Sequence, residues 1–314
     1  MRIIIELPTW LGDCVMATPA IENIINFFSN IEITFIGSFE SVEAMKYHPK
    51  VTRTVVLDRK YINLYKTAKE VGCFDIFFSF RSSIRSKLLK VLIPTKNKYQ
   101  FNKSKYQHHH QVEKYNAFVN DSLKSNFSAD RLVMYHPKYS KLNIKSSKLR
   151  LLGINPGASY GIAKRWYPEK FAKVVIALSN QYDIFIFGGQ GEIKIANDIE
   201  LYLIEANVKN YRNLAGKTSI TELINKISNL DLFITGDSGP MHIAAAFQIP
   251  TIAIFGPTNN NETSQWMNEK SIIVKKDLDC QPCMKRNCPL GHHHCMKLIS
   301  ANDVMDAVHS ISID

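Results

Sequence analysis

No stretch of this chain reaches the roughly eighteen consecutive apolar residues that a membrane-spanning helix needs, and its N-terminus runs straight into the strand-like RIIIEL without a signal-peptide pattern. Both absences point to a cytoplasmic protein. A reducing compartment argues in turn against structural disulfides, so the six cysteines read as thiols or metal ligands. At 314 residues, 45% hydrophobic and with a mean hydropathy of −0.13, the chain is long enough for two ordinary soluble domains.

Acidic residues are missing in one region above all. Residues 1–150 carry 24 Lys+Arg against 12 Asp+Glu, net +12, whereas residues 151–314 carry 15 against 16, net −1. From Arg81 to His110 there is no acid, while Arg81, Arg85, Lys87, Lys90, Lys96, Lys98, Lys103 and Lys105 all fall there. A field of that sign suits an anionic partner such as nucleic acid, a phosphorylated glycolipid or a membrane surface; a solvated face is the plainer alternative.

What is present is organised around Asp231 to Thr258, DLFITGDSGPMHIAAAFQIPTIAIFGPT. The apolar run Leu232 to Thr235 reads as a strand buried on both faces. Gly236, Asp237, Ser238 and Gly239 make a turn, Pro240 fits a first helical turn, Met241 to Phe247 is a short helix, and Thr251 to Phe255 is a second strand ending in Gly256-Pro257-Thr258. Such a βαβ unit places ligands outside the carboxyl ends of its strands, and N–H groups at a helix start attract anions, so Ser238 and Gly239 are candidates to hold a phosphate. Glycines that only relieve backbone strain are the alternative.

In chain order, Arg2 to Leu7 is a strand and Cys14 to Phe28 a helix, with Asp13 at its N-cap. Asp13 either caps that helix or works at the carboxyl end of the first strand. Strands at Ile31–Ile36, Thr52–Leu57, Phe74–Phe80 and Lys96–Phe101 alternate with helices at Glu40–Tyr47, Asn63–Val71 and Ser82–Ile93, as in a doubly wound domain. A helix from about His109 to Leu123 closes this half, with the triplet His108, His109 and His110 at its start, and polar residues from Ser140 to Lys148 form the linker. The second half repeats the pattern, and its turns pair Gly with polar partners: Ser159 and Lys164, Glu192, Lys217, Asp237 and Ser238. Four such turns on one sheet argue for a nucleotide-sized ligand.

Several segments together carry a resemblance: LPTWLGDCVMATPAI after the first strand, NPGASYGIAKRWYPEKFA, NLAGKTSITELINKISNLDLFITGDSGPMHIAAA, IAIFGPT and CQPCMKRNCPLGHHHCM. The chain resembles glycosyltransferase family 9, the ADP-heptose–lipopolysaccharide heptosyltransferases, and most of all those that act second on the inner core. The resemblance implies an α/β chain of GT-B fold with two Rossmann-like doubly wound domains facing a central crevice. Residues 1–147 would take the acceptor and residues 148–314 the nucleotide sugar, with the last helix, about Ala301 to Ile311, returning toward the first domain.

It also implies inverting transfer of L-glycero-D-manno-heptose from ADP-heptose to an anionic, Kdo-containing lipopolysaccharide precursor at the cytoplasmic face of the inner membrane, with no nucleic acid as partner and no obligatory cofactor. Asp13 would be the catalytic base. Ser159, Lys164, Ser238, Gly239 and His242 would serve the diphosphate and Glu192 the ribose, while Asp237 orders its loop or touches the sugar. Arg81 and Arg85 are the residues expected to meet the acceptor, with Lys96 and Lys103 as ordinary surface. The alternatives are transfer of the first heptose to Kdo, a nucleotide-sugar epimerase of the same shape, and a non-catalytic glycolipid-binding module.

Cys280, Cys283, Cys288 and Cys295 have spacing that permits a structural zinc, with His292 to His294 interleaved; packed thiols or an opportunistic disulfide are the competing reading. Cys14 and Cys73 read as core residues.

Overall fold

The computed structural model describes residues 1–58, 60–107, 109–137 and 149–311. The chain divides into two compact units, Met1–Pro137 and Lys138–Asp314. The expected linker, 140–148, lies outside the described residues.

The first unit runs β1 (Arg2–Glu6), α1 (Leu11–Met16), α2 (Thr18–Phe27), β2 (Glu32–Gly37), α3 (Phe39–Met45), β3 (Val51–Val56), α4 (Ile62–Val71), β4 (Phe74–Ser79), α5 (Ile84–Leu92), β5 (Thr95–Gln100) and α6 (Gln111–Leu123). Its five strands lie in the order β3-β2-β1-β4-β5, and the pairings are parallel. Ile3, Ile4 and Ile5 of β1 have no exposed surface, because a central parallel strand is covered on both faces. Strand alternation then divides Phe77 from Phe78. Phe77 packs with Leu64, Ala68, Val71, Leu89 and Ile93 of α4, α5 and the turn after it. Phe78 meets Phe118 of α6 edge to face on the other side.

The single helix expected over Cys14–Phe28 is broken in two. Pro19 has no N–H to offer Val15, and the Thr18 hydroxyl donates to the Val15 carbonyl instead, at 2.7 Å. His110 starts α6 as its N-cap, its Nδ1 accepting the Val112 N–H at 3.2 Å; His108 lies outside the described residues. Cys14 is buried as expected, but Cys73 is exposed, in the turn that leads into β4 rather than on a packed face.

The second unit runs β6 (Arg150–Asn155), α7 (Pro168–Leu178), β7 (Tyr182–Ile186), α8 (Ile193–Glu205), β8 (Tyr211–Asn213), α9 (Ile220–Ile227), β9 (Leu232–Gly236), α10 (Gly239–Ala246), β10 (Thr251–Ile254), α11 (Asn260–Thr263), β11 (Ser271–Val274), α12 (His294–Lys297) and α13 (Ala301–Ser310). The sheet order is β11-β10-β9-β6-β7-β8, again with parallel pairings. β11, only four residues long, is an edge strand that the sequence pattern did not reveal. Val304, Ala307 and Val308 of α13 join this unit's core, and the Trp166 indole N–H donates to the Ile299 carbonyl at 3.1 Å.

Each sheet has one place where the chain reverses its direction of travel: between β1 and β4 in the first, between β6 and β9 in the second. In open α/β sheets, such a place at the carboxyl edge is where ligands bind. Phe77→Ala empties a position with no exposed surface and is expected to destabilise the first unit by about 3–5 kcal/mol. Urea unfolding reads this directly; a loss below about 1 kcal/mol would mean that the α4–α5 face is not closely packed.

Candidate active site

In the second unit the reversal brings the loop after β6 beside the turn after β9. Lys164 Nζ donates to Asp237 Oδ2 at 2.6 Å and to the Asp237 carbonyl at 3.3 Å. The Thr258 hydroxyl, from the turn after β10, donates to the same Oδ2 at 2.6 Å. With side chains only 12% and 5% exposed, Lys164 and Asp237 form a nearly buried ion pair, in which neither charge is readily removed alone. The ammonium also lies 4.8 Å from the centre of the Tyr160 ring, a cation–π contact. The Asp237 carboxylate is thus neutralised by one cation and held by one hydroxyl.

Gly239 begins α10, with Ser238 as N-cap, but the Ser238 side chain does not cap the helix. Its Oγ accepts from Asn155 Nδ2 at 3.2 Å and lies 3.2 Å from the Thr235 hydroxyl. His242 is buried one turn into α10, whereas Ser159 is exposed in the loop ahead of Lys164. Glu192 is buried, and its Oε2 accepts the Gly189 N–H at 2.7 Å. A Cβ on Gly157 would stand 2.2 Å from Glu192 Cδ, so the Glu192 carboxylate takes this position against a residue without a Cβ. Lys217 donates to the Asn213 carbonyl at 3.1 Å, at the far edge of the sheet.

The cysteine-rich segment braces this loop. Tyr160 Oη donates to the Met284 carbonyl at 2.8 Å, the Ala163 N–H to the Arg286 carbonyl at 3.0 Å, and the Met284 N–H to the Pro257 carbonyl at 2.9 Å. Cys280, Cys283, Cys288 and Cys295 are free thiols, and among the described residues no group of His, Cys, Asp or Glu is disposed to hold a metal ion. The zinc that the spacing permits has no support in this geometry. Burial, with the neighbouring thiols adding to it, pushes Cys295 up to about 11; backbone N–H groups led by that of His293 hold Cys288 below the usual thiol range.

In the first unit Asp13 is half-buried in the first turn of α1 at the carboxyl end of β1. The N-cap is Trp10, not Asp13 as the sequence suggested, because the helix begins earlier, at Leu11. Cys14 behind it is pushed up to about 12 by burial, with the Asp13 charge adding to the shift. Burial raises the Tyr115 hydroxyl as well, and again the Asp13 charge contributes.

Arg81 and Arg85 go separate ways. Arg81 Nη1 donates to Glu6 Oε1 at 3.3 Å, and the Gln100 amide donates to the Arg81 carbonyl at 3.2 Å. Arg85, already within α5, donates to the Asp58 carbonyl and lies 5.9 Å from the centre of the Tyr61 ring. Lys96 is surface, as expected, paired with Asp75 at 3.5 Å.

Glu6 escaped the sequence reading, as did Thr258, Tyr160 and Asn155. Its signal was an acid closing an otherwise apolar strand. It has no exposed surface, and the Ser79 hydroxyl donates to its Oε2 at 2.7 Å, as does Ser86. Burial pulls its carboxyl above the ordinary range against the pull of Ser86, Ser79 and Arg81. A raised folded-state pKa means that the folded chain holds the proton longer than the unfolded one, so the ionised group subtracts from stability as pH rises. The stability difference between Glu6→Gln and wild type is therefore expected to grow in the variant's favour as pH rises from about 4 toward neutrality. A pH series of urea unfolding in which the difference stays flat or reverses would show that Arg81 and the hydroxyls outweigh burial.

The glycosyltransferase family 9 (heptosyltransferase) model matches residues 83–294. The chain is 43% identical over 313 residues to the lipooligosaccharide heptosyltransferase 2 of Campylobacter jejuni subsp. jejuni serotype O:2, covering 98% of this chain and 97% of that relative. Among solved structures, the E. coli ADP-heptose LPS heptosyltransferase II matches with a TM-score of 0.81 at 20% identity, over 99% of this chain and 98% of the other. E. coli heptosyltransferase WaaC with ADP-2-deoxy-2-fluoro heptose matches with a TM-score of 0.75 at 14% identity, over 98% and 99%. These structures establish the fold, the two-sheet α/β architecture of the GT-B class. By a family match that reaches into both units and a relative alike over almost its whole length, this chain belongs to glycosyltransferase family 9, the heptosyltransferases.

Proposed function

We propose that this chain is an inverting glycosyltransferase that moves L-glycero-D-manno-heptose from ADP-heptose to the inner core of lipopolysaccharide or lipooligosaccharide, adding the second heptose to the first. The near full-length likeness to a lipooligosaccharide heptosyltransferase 2 carries the choice of sugar and acceptor. The buried Lys164–Asp237 pair beside the start of α10 supports a diphosphate site in the second unit.

The chemistry asks for a base at the acceptor hydroxyl and for positive charge at the departing ADP. Asp13 takes the hydroxyl proton as the oxygen attacks the anomeric carbon. Two of the three ammonium N–H groups of Lys164 are directed at Asp237, which leaves the third for a phosphate oxygen. Ser238, Gly239 and the N–H groups of α10 serve the same phosphates, with Ser159 and His242 nearby in sequence. Glu192 spends Oε2 on Gly189 and offers its other oxygen to the ribose hydroxyls. Arg81 and Arg85 meet the Kdo carboxylates and phosphates of the acceptor. Because the proposed acceptor is lipid-linked and the proposed donor is a soluble nucleotide sugar, this reading places the protein at the cytoplasmic surface of the inner membrane.

Mass spectrometry after offering ADP-heptose with Kdo-lipid acceptors bearing no heptose or one tests the assignment. Product with the one-heptose acceptor is expected; product only with the heptose-free acceptor, or ADP release without any acceptor, would replace it. Asp13→Asn is expected to keep ADP affinity and lose turnover by ~10²- to 10⁴-fold; turnover within a few-fold of wild type would give the proton to another group. Lys164→Ala is expected to weaken ADP binding in calorimetry and slow the chemical step, since it leaves the Asp237 carboxylate unpaired beside the phosphates. Adding Asp237→Asn should recover part of the lost ADP affinity, and no recovery would argue that Asp237 acts on the donor directly.

A further inference from the structure

Beside the β1/β4 reversal point, the first unit carries an outward-facing surface that the proposed sugar transfer does not itself use. The buried side of α5 is set by Ser86 and Leu89, whereas Ile84, Leu88 and Val91 stand exposed on the opposite side. Their i, i+4, i+7 spacing places them in one stripe. Ile84 and Val91 are 79% and 73% exposed, an unusual position for β-branched aliphatics on a helix. α4 packs beside α5 through the shared core of Leu64, Ala68, Val71 and Leu89. Its outer side adds Ile62, 81% exposed, and Tyr65, 65% exposed, with Tyr61 just before the helix. Between these apolar groups stand Lys66, Lys69, Lys87 and Lys90, and the two helices together contain five Lys and Arg against one acid, Glu70.

We propose that the outer faces of α4 and α5 form an interfacial docking surface for an anionic lipid bilayer. The aliphatic stripe enters the headgroup boundary, the tyrosines sit at that level, and the lysines pair with lipid phosphates. Charge selects this occupant over a second copy of the chain, which would bring the same excess of lysine against itself. Continuity with the site also favours it: α5 begins three residues beyond Arg81, so the surface adjoins the loop assigned to a lipid-linked acceptor. The inference therefore rests on that reading of the acceptor and of the membrane-peripheral location.

Flotation of the full chain with phosphatidylcholine vesicles, with and without phosphatidylglycerol, tests it. Wild type should float with the anionic vesicles and not with the neutral ones, and raised salt should weaken the binding. Ile84→Ser with Val91→Ser, and separately Lys66, Lys69, Lys87 and Lys90 changed to Gln, should each reduce vesicle partitioning on the order of tenfold. Both variants should keep wild-type kcat/KM on a water-soluble, deacylated acceptor while losing activity on the same acceptor embedded in vesicles. Failure of wild type to bind any vesicle would sink the membrane-peripheral reading together with this surface. Undiminished vesicle binding by both variants would leave that reading standing and overturn only the surface. Altered kinetics on the soluble acceptor would assign these residues to the active site, and a wild-type dimer in light scattering that Ile84→Ser with Val91→Ser dissociates would make the face an interface between copies; either result overturns the proposal.

Discussion

Parallel pairing governs this structure. A strand that runs parallel to its neighbour can be reached only by a crossover, so every crossover leaves from the carboxyl edge of its sheet. Where the order reverses, at β1/β4 and β6/β9, side chains from the ends of the two adjacent strands and the turns after them meet at the carboxyl edge, as Arg81 does Glu6 and Lys164 does Asp237. Asp13, Glu6 and Arg81 belong to one such edge, and Lys164, Asp237 and Ser238 to the other. The mainly apolar strands behind them, LFITG of β9 among them, supply the rigid, dry wall against which polar contacts gain strength.

Buried carboxylates are the recurring device at these edges, and each is compensated differently. Asp237 has an ammonium and a hydroxyl. Glu192 has a backbone N–H and two glycine turns folded around it. Glu6 has two serines and a guanidinium, and burial still lifts its pKa. The differences matter for chemistry. Asp237 holds the Lys164 ammonium, while Glu6 holds the Arg81 guanidinium just past the end of β4. An ammonium that is oriented before substrate arrives needs little reorganisation at the moment charge develops.

The basic half of the chain has at least two uses on this reading. Arg81 is drawn inward to Glu6, whereas the lysines of α4 and α5 stay outward among exposed aliphatics. A count of charge cannot separate these, since the two kinds of cation are neighbours in sequence. Only the phase of α5, which turns Ser86 and Leu89 inward and Ile84, Leu88 and Val91 outward, divides them.

By itself the sequence determined the parts that depend on local pattern. Apolar runs such as RIIIEL and DLFIT read as buried strands followed by glycine turns, and βα alternation then implied two doubly wound units. The glycine-bearing turns of the second half also put Lys164, Asp237 and Ser238 at the carboxyl edge of the second sheet. Tertiary structure decided what local pattern leaves open. Whether Asp237 repels or anchors depended on Lys164, 73 residues away, and on Thr258. Glu6 became a buried anchor only because β4 and α5 brought Ser79, Ser86 and Arg81 to it. The four cysteines had metal-like spacing, but their segment is fastened to the Tyr160 and Ala163 loop by backbone and hydroxyl hydrogen bonds, and their directions are set by that docking. Spacing along a chain fixes which residues share a local face; it does not fix distances across elements, and charge compensation depends on those distances.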